Sequence, residues 1–441
     1  MSQVDSKTIT EEVRAGHSEY LFPSVQAYYR EPLVLVEGRG AIAVDSDGRE
    51  YSDFFSGILT TSIGHCHPEV VERVREQIGR LNHTSTLYLN EPQVKTAQRL
   101  AQISPGALKK CFFSNSGTEA VETAIMLARI YTGRDEIVAL RYAYSGRSTL
   151  ATNLNAQASW RPLSSSIPWI KHAMSPYCYR CPFGPPHDEC AEKFARDLEE
   201  VIITTTDGKP AAFFAETIQG AGGFIVPPAG YFQRAAEIIR RYGGLLIIDE
   251  VQAGFGRTGD KWFGIEHWDV EPDIMVMAKG IASGFPVGAT IAKKEIADAW
   301  TRKSISTFGG NPLSMAAAET TLDVMVREDV PGRAAQRGRQ LREGLDSLYG
   351  EHSWIGEVRG MGLMQGIEIV TDRQSKTPDP DRANALMEAT REEGLLVGLG
   401  GISAHVVRVA PSLLITEEEV AIGLQKLSQA CQKVSVKGSG D

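Results

Sequence analysis

The sequence predicts an α/β protein in which a mostly parallel sheet is wrapped by helices. Short apolar runs alternate with helical patterns between residues 68 and 312, which is typical of strands joined by crossover helices. The most apolar of these runs lack the polar alternation of a half-exposed strand, so we expect both faces of the sheet to be covered. A length of 441 residues exceeds one ordinary hydrophobic core and indicates two domains.

The strands predicted for the large sheet are short and apolar, and helical patterns separate most of them. They cover residues 111–113, 137–140, 211–215, 245–248, 274–277 and 287–291. We assign this sheet and its helices to a large domain of residues 68–315.

Both ends of the chain are predicted to build a smaller α+β domain. Residues 33–36 and 41–44, joined by Glu37-Gly38-Arg39-Gly40, predict a hairpin. After the large sheet, a helical stretch over residues 312–348 leads into 360–369 and a C-terminal α+β region. We therefore expect 1–67 to be the N-terminal segment of the small domain and 316–441 its C-terminal part.

Composition narrows the class of protein. A chain that is 42% hydrophobic and 23% charged is an ordinary globular protein. The net charge of -9 and the lack of a basic run argue against nucleic acid or an anionic membrane as a partner. The polar start Met1-Ser2-Gln3-Val4-Asp5-Ser6 lacks the regions of a signal peptide, and no apolar run approaches a membrane span. These features predict a cytoplasmic protein.

An acid and a lysine stand at the ends of two of the predicted strands. Asp249 follows the run 245–248, and Lys279 follows the run 274–277. Such groups are seldom buried without a partner, and a cofactor across the carboxyl ends of a parallel sheet would supply one. The pair suits pyridoxal phosphate, whose aldehyde binds a lysine and whose ring nitrogen needs an acid. The alternative is a helix-capping acid and a lysine that extends to the surface.

A third group of residues suits a phosphate. Ser116, Gly117 and Thr118 open a predicted helix directly after a strand, where backbone N–H groups and the helix dipole attract an anion. The structural alternative is a capping box formed by Ser116 and Glu119. Together with Asp249 and Lys279, this helix start predicts one cofactor site.

A glycine-rich segment offers a competing interpretation of the cofactor. The segment 254–259, Gly-Phe-Gly-Arg-Thr-Gly, matches a dinucleotide fingerprint, but 260–266 contains no helix of the needed length. We therefore expect its glycines to shape a loop between adjacent strands and no nicotinamide or flavin site.

The cysteines do not form a disulfide framework, since six in so long a chain are too few. Cys178, Cys181, His187 and Cys190 offer four ligands that tetrahedral zinc accepts. However, the second pair is poorly spaced for a zinc finger, and the loop is rich in proline. The sequence favours free thiols in a packed loop and no metal.

The motifs at 116–118, 249–252 (Asp-Glu-Val-Gln), 278–280 (Ala-Lys-Gly) and 309–312 (Gly-Gly-Asn-Pro) resemble those of class III (subgroup II) aminotransferases over nearly the whole chain. These are pyridoxal phosphate enzymes of fold type I. The resemblance implies that Lys279 binds the cofactor covalently, that Asp249 pairs with the pyridine nitrogen and that Gln252 lies beside the phenolic oxygen.

Further residues of the cofactor site follow from the same resemblance. Tyr144 falls where the family stacks a ring on the cofactor, although Ser145 replaces the usual histidine after it. Glu216 is kept, with Thr217 in place of the usual proline. Thr307 resembles a threonine that reaches the phosphate of a partner subunit, which implies a homodimer, or a tetramer of such dimers, with a shared active site.

The resemblance also implies substrate-binding residues. Arg408 matches an arginine that holds a substrate carboxylate. The alternative is an arginine on a surface strand. Relatives acting on ornithine or γ-aminobutyrate carry a second glutamate where this chain has Ala221. This difference resembles the alanine:glyoxylate and amine:pyruvate branch, as do residues 20–25 and the loop around Cys178. Substrate-capping positions implied by the family are Leu59, Tyr88 and Phe22, whereas we interpret His65, His67 and His83 as structural.

These residues predict transamination, in which Lys279 acts as general base and then acid. An amino acid or primary amine would donate to a small oxo acid such as pyruvate or glyoxylate in ping-pong order. A racemase or aminomutase, or a decarboxylase, on the same scaffold remains an alternative. A non-enzymatic binding module is disfavoured because Lys279 is present.

Overall fold

A computed structural model describes residues 6–25, 27–163, 166–184 and 187–437. The first five residues of the polar start and Pro185-Pro186 of the cysteine-containing loop lie outside this range. Among the described residues, none of the helices combines the length and the apolarity needed to cross a membrane.

The N-terminal part begins with helix α1 (Ser6–Tyr20), followed by strands β1 (Leu35–Arg39), β2 (Ile42–Asp45) and β3 (Glu50–Asp53). The predicted hairpin is present, but its strands are displaced towards the C-terminus. The turn lies at Gly40, whose φ of 53° is a left-handed conformation that suits glycine. Three helices follow: α2 (Ser56–Leu59), α3 (Pro68–Arg80) and α4 (Glu91–Ile103).

The large domain is built on a seven-stranded sheet. Its strands are β4 (Leu108–Ser114), β5 (Ile137–Leu140), β6 (Ile170–Ala173), β7 (Ala212–Glu216), β8 (Leu245–Asp249), β9 (Ile274–Met277) and β10 (Gly288–Lys293). Its helices are α5 (Gly117–Thr132), α6 (Thr149–Leu154), α7 (Cys190–Thr205), α8 (Tyr231–Arg241) and α9 (Lys294–Asp298).

The strand order is β4-β10-β9-β8-β7-β5-β6, and β10 alone runs antiparallel to its neighbours. The prediction of a mostly parallel sheet is therefore confirmed. Strand β6 escaped prediction because it is a four-residue edge strand with Lys171 and His172 at its centre. An edge strand pairs on one side only, so it tolerates polar residues that a central strand would not. The carboxyl ends of β4, β7, β8 and β9 lie on the same edge of the sheet.

The C-terminal part contains α10 (Pro312–Arg327), α11 (Val330–Glu351), β11 (Ile355–Met361), β12 (Met364–Ile369), α12 (Pro380–Glu392), β13 (Leu395–Leu396), β14 (Gly398–Gly400), β15 (Val406–Val409) and α13 (Glu417–Lys437). Strand β13 pairs with β3, so both chain ends contribute to one small sheet, as expected. A second small sheet, β11-β12-β15-β14, is antiparallel.

The helical stretch predicted over residues 312–348 forms two helices, α10 and α11. The helix breaks at Asp329, which has a left-handed φ of 45° and caps α11 by accepting a bond from Gly332 N. Pro331 then occupies the first turn of α11, where its missing N–H is harmless. The predicted domain limit at residue 315 falls inside α10, which packs on α3 and α4. The other domain limits stay predictions.

The segment 254–259 forms turns between the adjacent strands β8 and β9, as expected for its glycines. Gly256 has a φ of 81°, and a Cβ there would lie 2.8 Å from a methyl carbon of Val330. The buried guanidinium of Arg257 donates to the carbonyl of Leu363, 3.2 Å away. The motif therefore joins the large domain to the C-terminal part of the chain.

A buried carboxylate forms a second junction between the two regions. Glu368 on β12 accepts hydrogen bonds from Tyr177 and from Arg180, whose Nε lies 2.7 Å away. It also binds Arg359 and His405. Burial alone would raise the pKa of Glu368, but the bonds from His405 and Tyr177 and the charge of Arg359 lower it. The carboxylate is therefore ionised at neutral pH.

We predict that Glu368→Gln lowers the free energy of unfolding by about 3 kcal/mol, because it removes the buried carboxylate that Arg359 and the half-buried Arg180 share. Thermal unfolding at neutral pH should show a clear decrease in Tm. Glu351→Gln, at an exposed site on α11, is the control. Equal effects of the two substitutions would contradict the prediction.

Candidate active site

A cavity of about 180 Å³ lies at the carboxyl ends of β7, β8 and β9, beside the first turn of α5. It contains seven of the predicted site residues: Gly117, Thr118, Tyr144, Glu216, Asp249, Gln252 and Lys279. Parallel pairing places Glu216 opposite Asp249 and Asp249 opposite Val276, three residues before the lysine. The structure thus brings the predicted acid, lysine and helix start into one cavity.

Asp249 is the last residue of β8 and is buried. Its carboxylate accepts a bond of 2.9 Å from the backbone N–H of Val251. Burial raises the pKa of Asp249 to about 6, while the Val251 bond and the charge of Lys279 oppose that shift. The side chain is not the helix cap that the alternative interpretation required, since turns follow β8.

Lys279 follows β9 by two residues and has a left-handed φ of 46°. A non-glycine residue in this conformation is strained by about 1–3 kcal/mol, and such strain is concentrated at functional sites. Burial lowers the pKa of Lys279 to about 8, and the charge of Arg408 acts in the same direction. A larger share of this amine is therefore neutral, and able to act as nucleophile or base, than of an exposed lysine.

Glu216, at the end of β7, connects two loops around the cavity. Its carboxylate accepts bonds from the backbone N–H of Tyr144 at 2.9 Å and of Gly220 at 2.8 Å. Burial and the nearby charge of Asp249 raise the pKa of Glu216 to about 8. This carboxyl group positions the loops that carry Tyr144 and Ala221.

The start of α5 is compatible both with a helix cap and with a phosphate site. Ser116 caps the helix by accepting a bond of 3.2 Å from Glu119 N, and Glu119 accepts one of 2.9 Å from Asn115 N. Gly117 and Thr118 line the cavity. A Cβ at position 117 would meet neighbouring methyl groups only at 3.5 Å, so packing alone does not require glycine there.

The aromatic wall of the cavity is Tyr144, whose ring meets that of Trp160 edge-on, with 5.2 Å between centroids. Ser145 donates its backbone N–H to Asn155 Oδ1 at 2.5 Å. The sequence gives no sign of these two contacts, because a short helix and a loop separate Trp160 and Asn155 from Tyr144 along the chain.

Arg408 is buried on β15, so the alternative of a surface arginine was wrong. Its Nε donates to Leu399 O at 3.0 Å, and its guanidinium lies 4.9 Å from the Phe55 ring centroid. Burial lowers its pKa, and the electrostatic interaction with the nearby Tyr28 opposes the shift. Tyr28 was also missed, since only the fold brings an N-terminal tyrosine to β15.

Ala221 lies close to this arginine. Its carbonyl accepts a bond of 2.9 Å from Gly401 N, which ties the loop 217–225 to the end of β14. A Cβ added at Gly400 would lie 2.9 Å from Arg408 Cδ and 3.3 Å from Ala221 O. The methyl side chain of Ala221 leaves the arginine without a carboxylate partner from this position.

The remaining predicted residues lie outside the cavity lining. Leu59 is buried beside Phe55, whereas Phe22, Tyr88 and Thr307 are exposed. The three histidines do not line the cavity either. His65 bonds Asp53 at 2.8 Å, His67 precedes α3, and the ring of His83 packs on Phe308.

The residues present fit pyridoxal phosphate. A carboxylate, a lysine of lowered pKa, a helix start and an aromatic ring line one cavity. In addition, Gln252 Oε1 is buried and has no hydrogen-bond partner among the described residues. Buried polar atoms are normally hydrogen-bonded, so the unpaired Gln252 Oε1 indicates that a ligand contacts this side chain.

Comparisons with known proteins agree with this site. The family model Aminotransferase class-III matches residues 25–431. Over 425 residues, the chain is 42% identical to an alanine–glyoxylate aminotransferase 2 homolog 2, mitochondrial, from Arabidopsis thaliana, covering 96% of this chain and 87% of that protein. It is 36% identical over 429 residues to a leucine/methionine racemase from Thermococcus litoralis, covering 96% and 95%.

Among solved structures, an (S)-enantioselective omega-transaminase from Thermomicrobium roseum superposes with a TM-score of 0.89 at 34% identity, covering 96% of this chain and 98% of that one. The predicted resemblance and fold type are thereby confirmed. Because the family model spans nearly the whole chain, this protein belongs to the class III aminotransferases, enzymes that transfer amino groups with pyridoxal phosphate.

Proposed function

We propose that this aminotransferase moves an amino group from an amino acid or primary amine to a small 2-oxo acid such as pyruvate or glyoxylate. The observation that carries this choice is Arg408, a buried cation with an alanine at position 221 where some relatives place a glutamate. Its partners among the described residues are carbonyl oxygens, a tyrosine and aromatic rings. A substrate carboxylate would be the strongest partner available to it.

The names of similar proteins support the same choice. The Arabidopsis relative is named for alanine and glyoxylate, and the Thermomicrobium structure is an omega-transaminase. Alanine and glyoxylate are small and carry one carboxylate, which suits a single arginine.

The chemistry follows from the residues around the cavity. Pyridoxal phosphate supplies an electron sink for the bonds at the substrate carbon. Lys279 Nζ holds the cofactor aldehyde before substrate arrives and then moves the proton at that carbon, for which its lowered pKa suits it. Asp249, mostly ionised at neutral pH, would accept a hydrogen bond from the ring nitrogen and so keep that nitrogen protonated. Arg408 orients donor and acceptor in turn.

The proposal also assigns roles to the remaining residues of the cofactor site. Gly117 and Thr118 would hold the phosphate at the start of α5, where Ser116 caps the first turn. Tyr144 would lie against the cofactor ring, and the amide of Gln252 would lie beside the phenolic oxygen.

We further propose that two copies complete the active site. Leu87, Tyr88, Leu89 and Phe308 form an apolar patch with exposed fractions of 61–94%. Its two segments adjoin, because Asn90 Nδ2 donates to Gly310 O at 3.1 Å. Thr307 lies in this patch, which a second copy would cover.

Racemisation is the second candidate, because one relative is named a leucine/methionine racemase. A racemase would convert L-alanine to D-alanine without any oxo acid. A decarboxylase would release carbon dioxide. Incubating the enzyme with an amine panel and pyruvate, glyoxylate or 2-oxoglutarate separates these reactions.

We predict that Arg408→Ala lowers kcat/KM for pyruvate or glyoxylate by about a hundredfold, because two charge-assisted hydrogen bonds are lost. The half-reaction of an amine without a carboxylate should be much less affected. Ala221→Glu should weaken the acceptor's apparent affinity by competing for the guanidinium, whereas Ala221→Gln, of equal size, should do so far less. Equal loss in all half-reactions, or no effect of Ala221→Glu, would contradict the assignment.

We predict that the wild-type protein sediments as a dimer and that Leu89→Asp shifts it to monomer, because a buried unpaired carboxylate costs several kcal/mol. The monomer should retain cofactor poorly after dialysis. Ile203→Asp, at an exposed site on α7, is the matched control and should stay dimeric. Thr307→Ala should weaken cofactor retention within an intact dimer. A fully active monomer would refute the shared site.

A further inference from the structure

The described parts of the loop between β6 and α7, residues 174–184 and 187–189, together with Cys190 carry four side chains that can bind a metal. Cys181, His187 and Cys190 each offer a ligand atom within 4.8 Å of the others. The Cys178 thiol lies near that of Cys190 but outside this group of three. Free thiols were the expectation here, yet the fold brings three of the four potential ligands together, with Cys178 beside them.

The distances within this cluster match a zinc site. Tetrahedral zinc with bonds of about 2.3 Å to sulfur and 2.0 Å to nitrogen separates two sulfurs by about 3.8 Å and sulfur from nitrogen by about 3.5 Å. Cys190 Sγ lies 3.6 Å from Cys181 Sγ and 3.5 Å from His187 Nδ1. A disulfide would instead need two sulfurs about 2.05 Å apart.

The separation of the four side chains along the sequence also suits the binding of a single ion. Two residues separate Cys178 from Cys181, and two separate His187 from Cys190, so each pair can bind from a tight turn. A short 3₁₀ turn, Cys178–Arg180, presents the first pair, and Cys190 begins α7. Three thiolates and one imidazole form a closed ligand set, which is typical of structural rather than catalytic zinc.

We propose that Cys178, Cys181, His187 and Cys190 bind one structural zinc ion. Iron–sulfur clusters normally take four cysteines, so this set favours zinc. The proposal is independent of the substrates of the enzyme.

The position of the loop indicates what the ion does. Tyr177 and Arg180 bind Glu368 of β12, and Lys376 Nζ donates to Tyr179 O at 2.8 Å. The zinc ion therefore connects the start of α7 in the large domain to the residues that bind the small antiparallel sheet. It stabilises the junction between the two regions.

Metal analysis of the wild-type protein, purified under reducing conditions without chelator, tests the proposal. We expect about one zinc per chain. Cys181→Ser and Cys190→Ser should each lose most of that zinc. Cys66→Ser, which removes an exposed cysteine outside the cluster, is the control and should retain it.

A second measurement covers the case in which the cluster variants fail to fold. Iodoacetamide should label Cys66 of the wild-type protein at once, while Cys178 and Cys181 react only after a chelator has removed zinc. Cobalt added to the chelated protein should give the visible absorption of a tetrahedral thiolate site. Absence of zinc even after incubation with it, labelling that ignores the chelator, or a disulfide between Cys181 and Cys190 would overturn the proposal.

Discussion

The structure depends on the burial of two opposite charges at the ends of neighbouring parallel strands. Because β8 and β9 pair directly, Asp249 and Lys279 share one cavity at the carboxyl edge of the sheet. Burial shifts both pKa values towards neutrality, to about 6 and about 8. Each charge limits the shift of the other. A cofactor with a basic ring nitrogen and an aldehyde uses both groups, which explains why the fold keeps them.

The substrate side and the domain junction share a loop. Arg359 donates to Gly223 O at 2.8 Å and also binds Glu368, while Gly220 O accepts from Arg408. The loop 217–225 is therefore fixed from one side by the Glu368 cluster and meets the proposed carboxylate-binding arginine on the other. Through Arg180 the same cluster reaches the cysteine-containing loop, so the proposed zinc site and the loop beside Arg408 both contact the Glu368 cluster.

The sequence predicted the features that leave a local pattern. Asp249 and Lys279 stood out because each ends an apolar run, and the start of α5 because Ser116, Gly117 and Thr118 open a helix directly after a buried strand. Tyr28 and Trp160 left no such pattern, since only the folded chain brings them to Arg408 and Tyr144. The break at Asp329 interrupted a helical pattern that continues on both sides, and the spacing of the cysteines did not reveal their cluster.

The most direct test is the pH dependence of covalent cofactor capture by the cofactor-free protein, with borohydride trapping and peptide mapping of the modified lysine. We expect the label on Lys279 alone. The capture rate should rise about tenfold per pH unit below pH 8 and level off above it, because only the neutral amine reacts. A label on another lysine, or a rate that still rises tenfold per unit up to pH 10, would contradict the account.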